Sequence, residues 1–132
     1  MIKMQQFHRL LGAAFALAAV LAVTPVWAHH SWARYDNEHV VTMMGVLTAV
    51  EFSNPHVVMR FTVTGDDGKP TEWTMEMDPP TLLLRFGLRH DTFVAGMPIT
   101  ITGVLARSGA AMMRAVTLAA PDGTVYRVSS RI

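Results

Sequence analysis

Three histidines offer the most specific chemistry in this sequence. His29 and His30 stand side by side in "PVWAHHSWARYD" (Pro25–Asp36), and His56 closes an Asn54-Pro55-His56 run. If the chain is cut after Ala28, His29 presents a terminal amine beside its own imidazole, with the His30 ring adjacent. An amine with two or three imidazoles suits Cu(II), which takes nitrogen ligands in tetragonal geometry. His29, His30 and His56 are therefore the candidate metal ligands, and copper or another transition metal is the candidate cofactor. His39 and His90 could join only if loops brought them near. The plainer alternative leaves the His pair solvated in a leader, with His56 serving an Asn-Pro turn.

Other chemistries fit less well. "EWTMEM" offers Trp73, Met75 and Met77 on one strand face, a pattern that suits a core in which Met fills irregular gaps. Its Trp-x-Met-x-Met spacing differs from the Trp-x-x-Met-x-Met of small periplasmic copper and silver chaperones, and no histidine lies close upstream. Ser31, Ser53 and Ser108 sit in no nucleophile elbow, and His90–Asp91 reads as a solvated turn. Glu72 and Glu76 flank Thr74 on one strand face, close enough for acid/base work, although outward glutamates on a strand ordinarily serve solvation. Gly65-Asp66-Asp67-Gly68 has the wrong charge to cradle a phosphate. The sequence points to binding and not to catalysis.

The elements that must position these residues begin with an export signal. Residues 1–9 carry Lys3 and Arg9 and no acid, Leu10–Val23 is an unbroken apolar run, and Val26-Trp27-Ala28 ends on a small residue. Those are the parts of a cleavable signal peptide spanning residues 1–28. Fourteen apolar residues rise about 21 Å as a helix, short of the roughly 30 Å hydrocarbon core. The expectation is a periplasmic or secreted protein with no stable membrane insertion after cleavage. Eleven Lys and Arg stand against ten Asp and Glu, so loss of Lys3 and Arg9 leaves a mature chain near −1. That balance lacks the positive footprint of a nucleic-acid binder. With no cysteine, a hydrophobic core must hold the fold.

The body reads as β. Residues 29–39 form a leader segment and 40–132 the domain. "VVTMMGVLTAVEFS" (Val40–Ser53) is a long first strand whose Gly45 marks a bend or bulge. "HVVMRFTVT" and "TEWTMEM" alternate as a hairpin. A three-residue loop Asp67-Gly68-Lys69 would pair Val63 with Trp73, Phe61 with Met75 and Met59 with Met77. Arg60, Glu72, Thr74 and Glu76 then share the opposite, polar face with His56, bordered by Arg34, Tyr35 and Arg107. In "DPPTLLLRFG" Asp78 is the expected N-cap, Pro79 the first helical residue and Gly87 the stop. Met97–Arg107, Ala111–Ala119 and Thr124–Ser129 supply later strands, with turns at Ser108–Gly109 and Asp122–Gly123. The expected class is all-β with one short helix: an OB-like small barrel of five to six strands. The alternative is a β-sandwich.

"HHSWARYD", "GVLTAVEFSNPHVVMRFTV", "LLLRFGL" and "RAVTLAAPDG" together resemble a bacterial family of small secreted proteins known only as a domain of unknown function. The matching positions are His29 and His30, Gly45 and Val46, Asn54 to His56, Trp73, and Leu83, Arg85 and Gly87. The resemblance implies a periplasmic or secreted module and carries no activity. The reading is a non-catalytic binding module that holds a metal through His29, His30 and His56. The alternative is a protein- or glycan-interaction domain whose polar face (Arg60, Glu72, Thr74, Glu76) meets a periplasmic protein or a small polar ligand.

Overall fold

A computed structural model describes residues 32–131 of the chain. The signal segment and the His29–His30 pair lie outside the described residues. A single 3-10 turn (Trp32–Arg34) leads into β1 (Tyr35–Glu51), followed by β2 (Val58–Thr64), β3 (Pro70–Glu76), α1 (Pro80–Arg85), β4 (Pro98–Ala106), β5 (Met112–Ala119) and β6 (Val125–Arg127). The strands run in the order β3-β2-β1-β4-β5-β6, and a parallel pairing of β3 with β5 closes the first five into a barrel. This is the OB-like architecture expected from the sequence, with β6 as an extra strand. No helix among the described residues is long and apolar enough to cross a membrane.

One strand serves both halves of the barrel. β1 starts at Tyr35, five residues ahead of the Val40 start read from the alternation. It pairs with β4 along its front and with β2 only from Val46 onward. The changeover falls at Gly45. A Cβ there would stand 2.7 Å from the Thr62 carbonyl oxygen and 2.8 Å from the Phe61 ring. Gly45 therefore serves close approach of two strands. The bulge expected near it lies further on, at the register shift between Leu47 and Ala49.

The β2–β3 hairpin corrects the expected register. Phe61 pairs with Trp73, Met59 with Met75 and Arg60 with Thr74. The loop is Asp66-Asp67-Gly68, one residue earlier than expected. The Gly68 N–H bonds the Gly65 carbonyl at 2.9 Å, and Gly68 takes φ +73°. A three-residue hairpin loop ends on a left-handed residue, and Gly68 meets that demand where Lys69 would be strained. The shift is two residues in pairing, so each side chain keeps its expected face.

Inward-facing residues meet in one core that includes Met59, Phe61, Met75, Met77, Ile101, Met113 and Leu118, capped at one end by Leu83 and Leu88. Trp73 packs against it and stacks on Phe61 at 6.4 Å. Met75 and Met77 are core residues, as their alternation implied, and so are Met59 and Met113, whereas Met44 on β1 is exposed. α1 starts from Pro79, not from Asp78, and no side chain caps it. It ends in a Schellman motif. The Leu88 N–H bonds the Leu83 carbonyl, the Gly87 N–H bonds the Leu84 carbonyl, and Gly87 sits at φ +86°.

Candidate functional site

Asp78 faces away from the helix because its carboxylate is committed elsewhere. On the outside of the barrel, where β3 meets β5, a second and smaller packed layer holds five ionisable groups. Glu76 and Arg114 are register partners across the closing ladder. Arg114 NH2 bonds Asp78 Oδ1, and the second Asp78 oxygen accepts the Ser130 N–H at 2.5 Å. Arg114 NH1 lies 3.6 Å from Glu76 Oε1, an ion-pair separation beyond hydrogen-bond range. The Arg114 side chain is 2% exposed and that of Asp78 5%. Burying such charges is tolerable only because they are paired.

Glu76 is the hub. Its Oε1 lies 2.6 Å from His56 Nδ1, and its Oε2 accepts the Tyr35 hydroxyl at 2.7 Å. His56 is reached through a cis Asn54–Pro55 bond and sits at the rim, its side chain 29% exposed. Tyr35 is fully buried. That burial, and then the hydrogen bond to the Glu76 carboxylate, holds its phenol protonated far above the ordinary tyrosine range. With one guanidinium against two carboxylates, the cluster carries one surplus negative charge whenever His56 is neutral.

The leader end of the described chain closes over this layer. The Trp32 ring lies over the Arg114 guanidinium at 5.2 Å, a cation–π contact. Asn37 Nδ2 donates to the Trp32 carbonyl at 3.0 Å, and the Arg107 N–H donates to the Arg34 carbonyl at 2.9 Å. Trp32 also borders an open cleft of ≈ 230 Å³ with Asn37, Val40, Val104, Val116 and Arg131.

The expected site residues separate in the fold. His56 and Glu76 meet directly. Arg60 and Glu72 are exposed and Thr74 is half-buried, so the polar face survives as Arg60, Glu72 and Thr74 while Glu76 turns into the charged layer. His29 and His30 precede the described residues. His39 pairs instead with Asp36, Nδ1 to Oδ2 at 2.8 Å, on an exposed irregular stretch of β1. Among the described residues no three His, Asp or Glu side chains converge as a metal cage. Sequence reading passed over Arg114. Its signal was an arginine inside the apolar run "MMRAVTLA", since a charge within a buried strand requires a buried partner.

No curated protein matches the chain. The model of a family described as a family of unknown function (DUF6152) matches residues 16–114, from the apolar leader to Arg114 itself.

Proposed function

The chain belongs to the DUF6152 family, and from the geometry of its charged layer we propose that it is an exported binding module for Cu(II) or another late transition-metal ion. The ligands are the amine and ring of His29, the ring of His30 and the Nε2 of His56, after cleavage behind Ala28. The observation that carries this reading is the contact chain Trp32–Arg114–Glu76–His56. It brings residue 32 to the group that orients His56. His29 is three residues earlier, a reach of at most about 11 Å of extended chain.

The chemistry supports it further. Glu76 stands at the Nδ1 side of His56, leaving Nε2 for a metal, and a carboxylate on the far ring nitrogen is what orients ligating histidines. The surplus negative charge of the layer favours a cation at its rim. A metal held by two histidines of the leader and one of the barrel would tie the first residues of the mature chain to the fold.

The test is mature protein exported by a bacterial host, its terminus confirmed by intact mass, titrated with Cu(II) by calorimetry and electron paramagnetic resonance. One-to-one binding with a nitrogen-rich tetragonal spectrum is expected. Blocking the terminal amine should abolish it, and His56→Gln should weaken it at least tenfold. Superstoichiometric binding, or binding indifferent to both changes, overturns the proposal.

A further inference from the structure

Two donors compete for one carboxylate oxygen. Glu76 Oε1 lies 2.6 Å from His56 Nδ1 and 3.6 Å from Arg114 NH1. The Arg114 guanidinium is buried, and neither its NH1 nor its Nε has a hydrogen-bond partner among the described residues. Unpaired donors on a buried charge are costly, which favours a small turn of the carboxylate toward Arg114. Glu76 nevertheless keeps Oε1 on His56. A ring nitrogen and a carboxylate oxygen approach to 2.6 Å only with a proton between them, and an ionised carboxylate brings none. That proton therefore sits on His56 Nδ1, and in the neutral ring the lone pair is on Nε2.

The other carboxylate oxygen decides the competition. Tyr35 is fully buried at the first residue of β1, which pairs there with Ala106 of β4. Its hydroxyl donates to Glu76 Oε2 at 2.7 Å. With Oε2 held, Oε1 cannot turn to Arg114 without giving up the Tyr35 bond. We propose that Tyr35 is the positioning residue of this site: acting through Glu76, it keeps His56 in the Nδ1–H tautomer and turns the Nε2 lone pair to the rim. A group fixed this way accepts a transition-metal ion without first having to exchange its ring proton. The inference deepens the metal reading and rests on it for the ion that Nε2 meets. The tautomer itself is set by Tyr35, Glu76 and His56 alone.

The experiment uses metal-free mature protein, isotope-labelled at histidine, and reads the tautomer of the neutral His56 ring from its nitrogen resonances. The Nδ1–H form should dominate in the wild type, the reverse of a free histidine side chain in water. In Tyr35→Phe, which keeps the ring in place and removes only the hydroxyl, that form should lose its majority. Tyr126→Phe, at a tyrosine that packs edge-on against Phe93, should leave it unchanged. A mere loss of stability does not alter the tautomer of the molecules that stay folded, so the readout separates positioning from packing. Cu(II) affinity should fall about tenfold in Tyr35→Phe, the lower end of the effect of groups standing behind a metal ligand. A wild-type ring mainly in the Nε2–H form, or a tautomer ratio unmoved in Tyr35→Phe, overturns the assignment. The expected tautomers without copper binding sink the metal reading alone, and copper binding with a tautomer indifferent to Tyr35→Phe sinks the role of Tyr35 alone.

Discussion

Replacing Arg114 by Met removes the one cation of the buried layer while keeping an apolar side chain of similar reach. Among the described residues Asp78 is then left with the Ser130 N–H alone, its side chain 5% exposed. Glu76 loses less, because it keeps Tyr35 and His56 and is 17% exposed. Breaking a buried ion pair from one side costs about 3–5 kcal/mol. The partial satisfaction of both carboxylates puts Arg114→Met near the lower end, about 3 kcal/mol. For a domain of this size that lowers Tm by more than about 10 °C. The assay is urea unfolding of the mature protein followed by circular dichroism, with the midpoint falling and the slope unchanged. The companion Arg114→Met/Asp78→Leu removes both charges and should recover much of the loss, since a desolvated pair can be replaced by apolar groups. A single variant within about 1 kcal/mol of wild type, or a double variant worse than the single, refutes the pairing as the reason these charges are buried.

Two further outcomes follow from local geometry. Gly103→Ala should destabilise by about 2 kcal/mol in thermal unfolding, against the gain usual for Gly→Ala in a strand. A methyl group there overlaps the Arg114 carbonyl oxygen and crowds the Ala115 Cα at 3.0 Å. The hydrogen bond with Asp36 raises the His39 pKa above 6.5, and the same bond lowers Asp36 below 3.8. The His39 part of the stabilisation is complete below pH 6.5 and fades as pH rises through the raised value. The Asp36 part is complete above pH 3.8 and fades as pH falls through the lowered one, so the pair contributes fully between those two values. An NMR titration should place the His39 midpoint above 6.5 and lower it in Asp36→Asn; an unmoved midpoint would exclude the pair in solution.

The strands were legible because apolar and polar residues alternate along them, and alternation survives any error in where a loop is centred. That is why the β2–β3 faces were assigned correctly although the register was off by two: Gly68 was read as the middle of the loop when its left-handed backbone makes it the last. Asp78 shows the opposite case. Its neighbours Pro79 and Pro80 make a helix cap the natural local reading, but its actual partner lies 36 positions away in Arg114. Local spacing cannot reveal a pairing created by barrel closure. His56 was legible as a group with chemistry, and Glu76 as a polar strand residue. Their meeting belongs to the β2–β3 hairpin, where Val58 stands opposite Glu76; what no sequence neighbour announces is the parallel β3–β5 contact, which adds Arg114 to them.

That contact has a consequence for how the molecule comes together. The closing ladder is short, with Thr74–Glu76 set against Met112–Arg114, and its last rung is the Glu76–Arg114 pair at the heart of the charged layer. Such distant partners meet only after the intervening chain has been ordered, so they belong among the later events of folding. The seam of the barrel and the Arg114 side of the charged layer are thus one object: His56 and Glu76 meet on the β2–β3 hairpin, and Arg114 joins them only at closure. A ligand captured at His56 would act as a rivet through that seam, stabilising the closed barrel in proportion to the logarithm of its concentration over its dissociation constant.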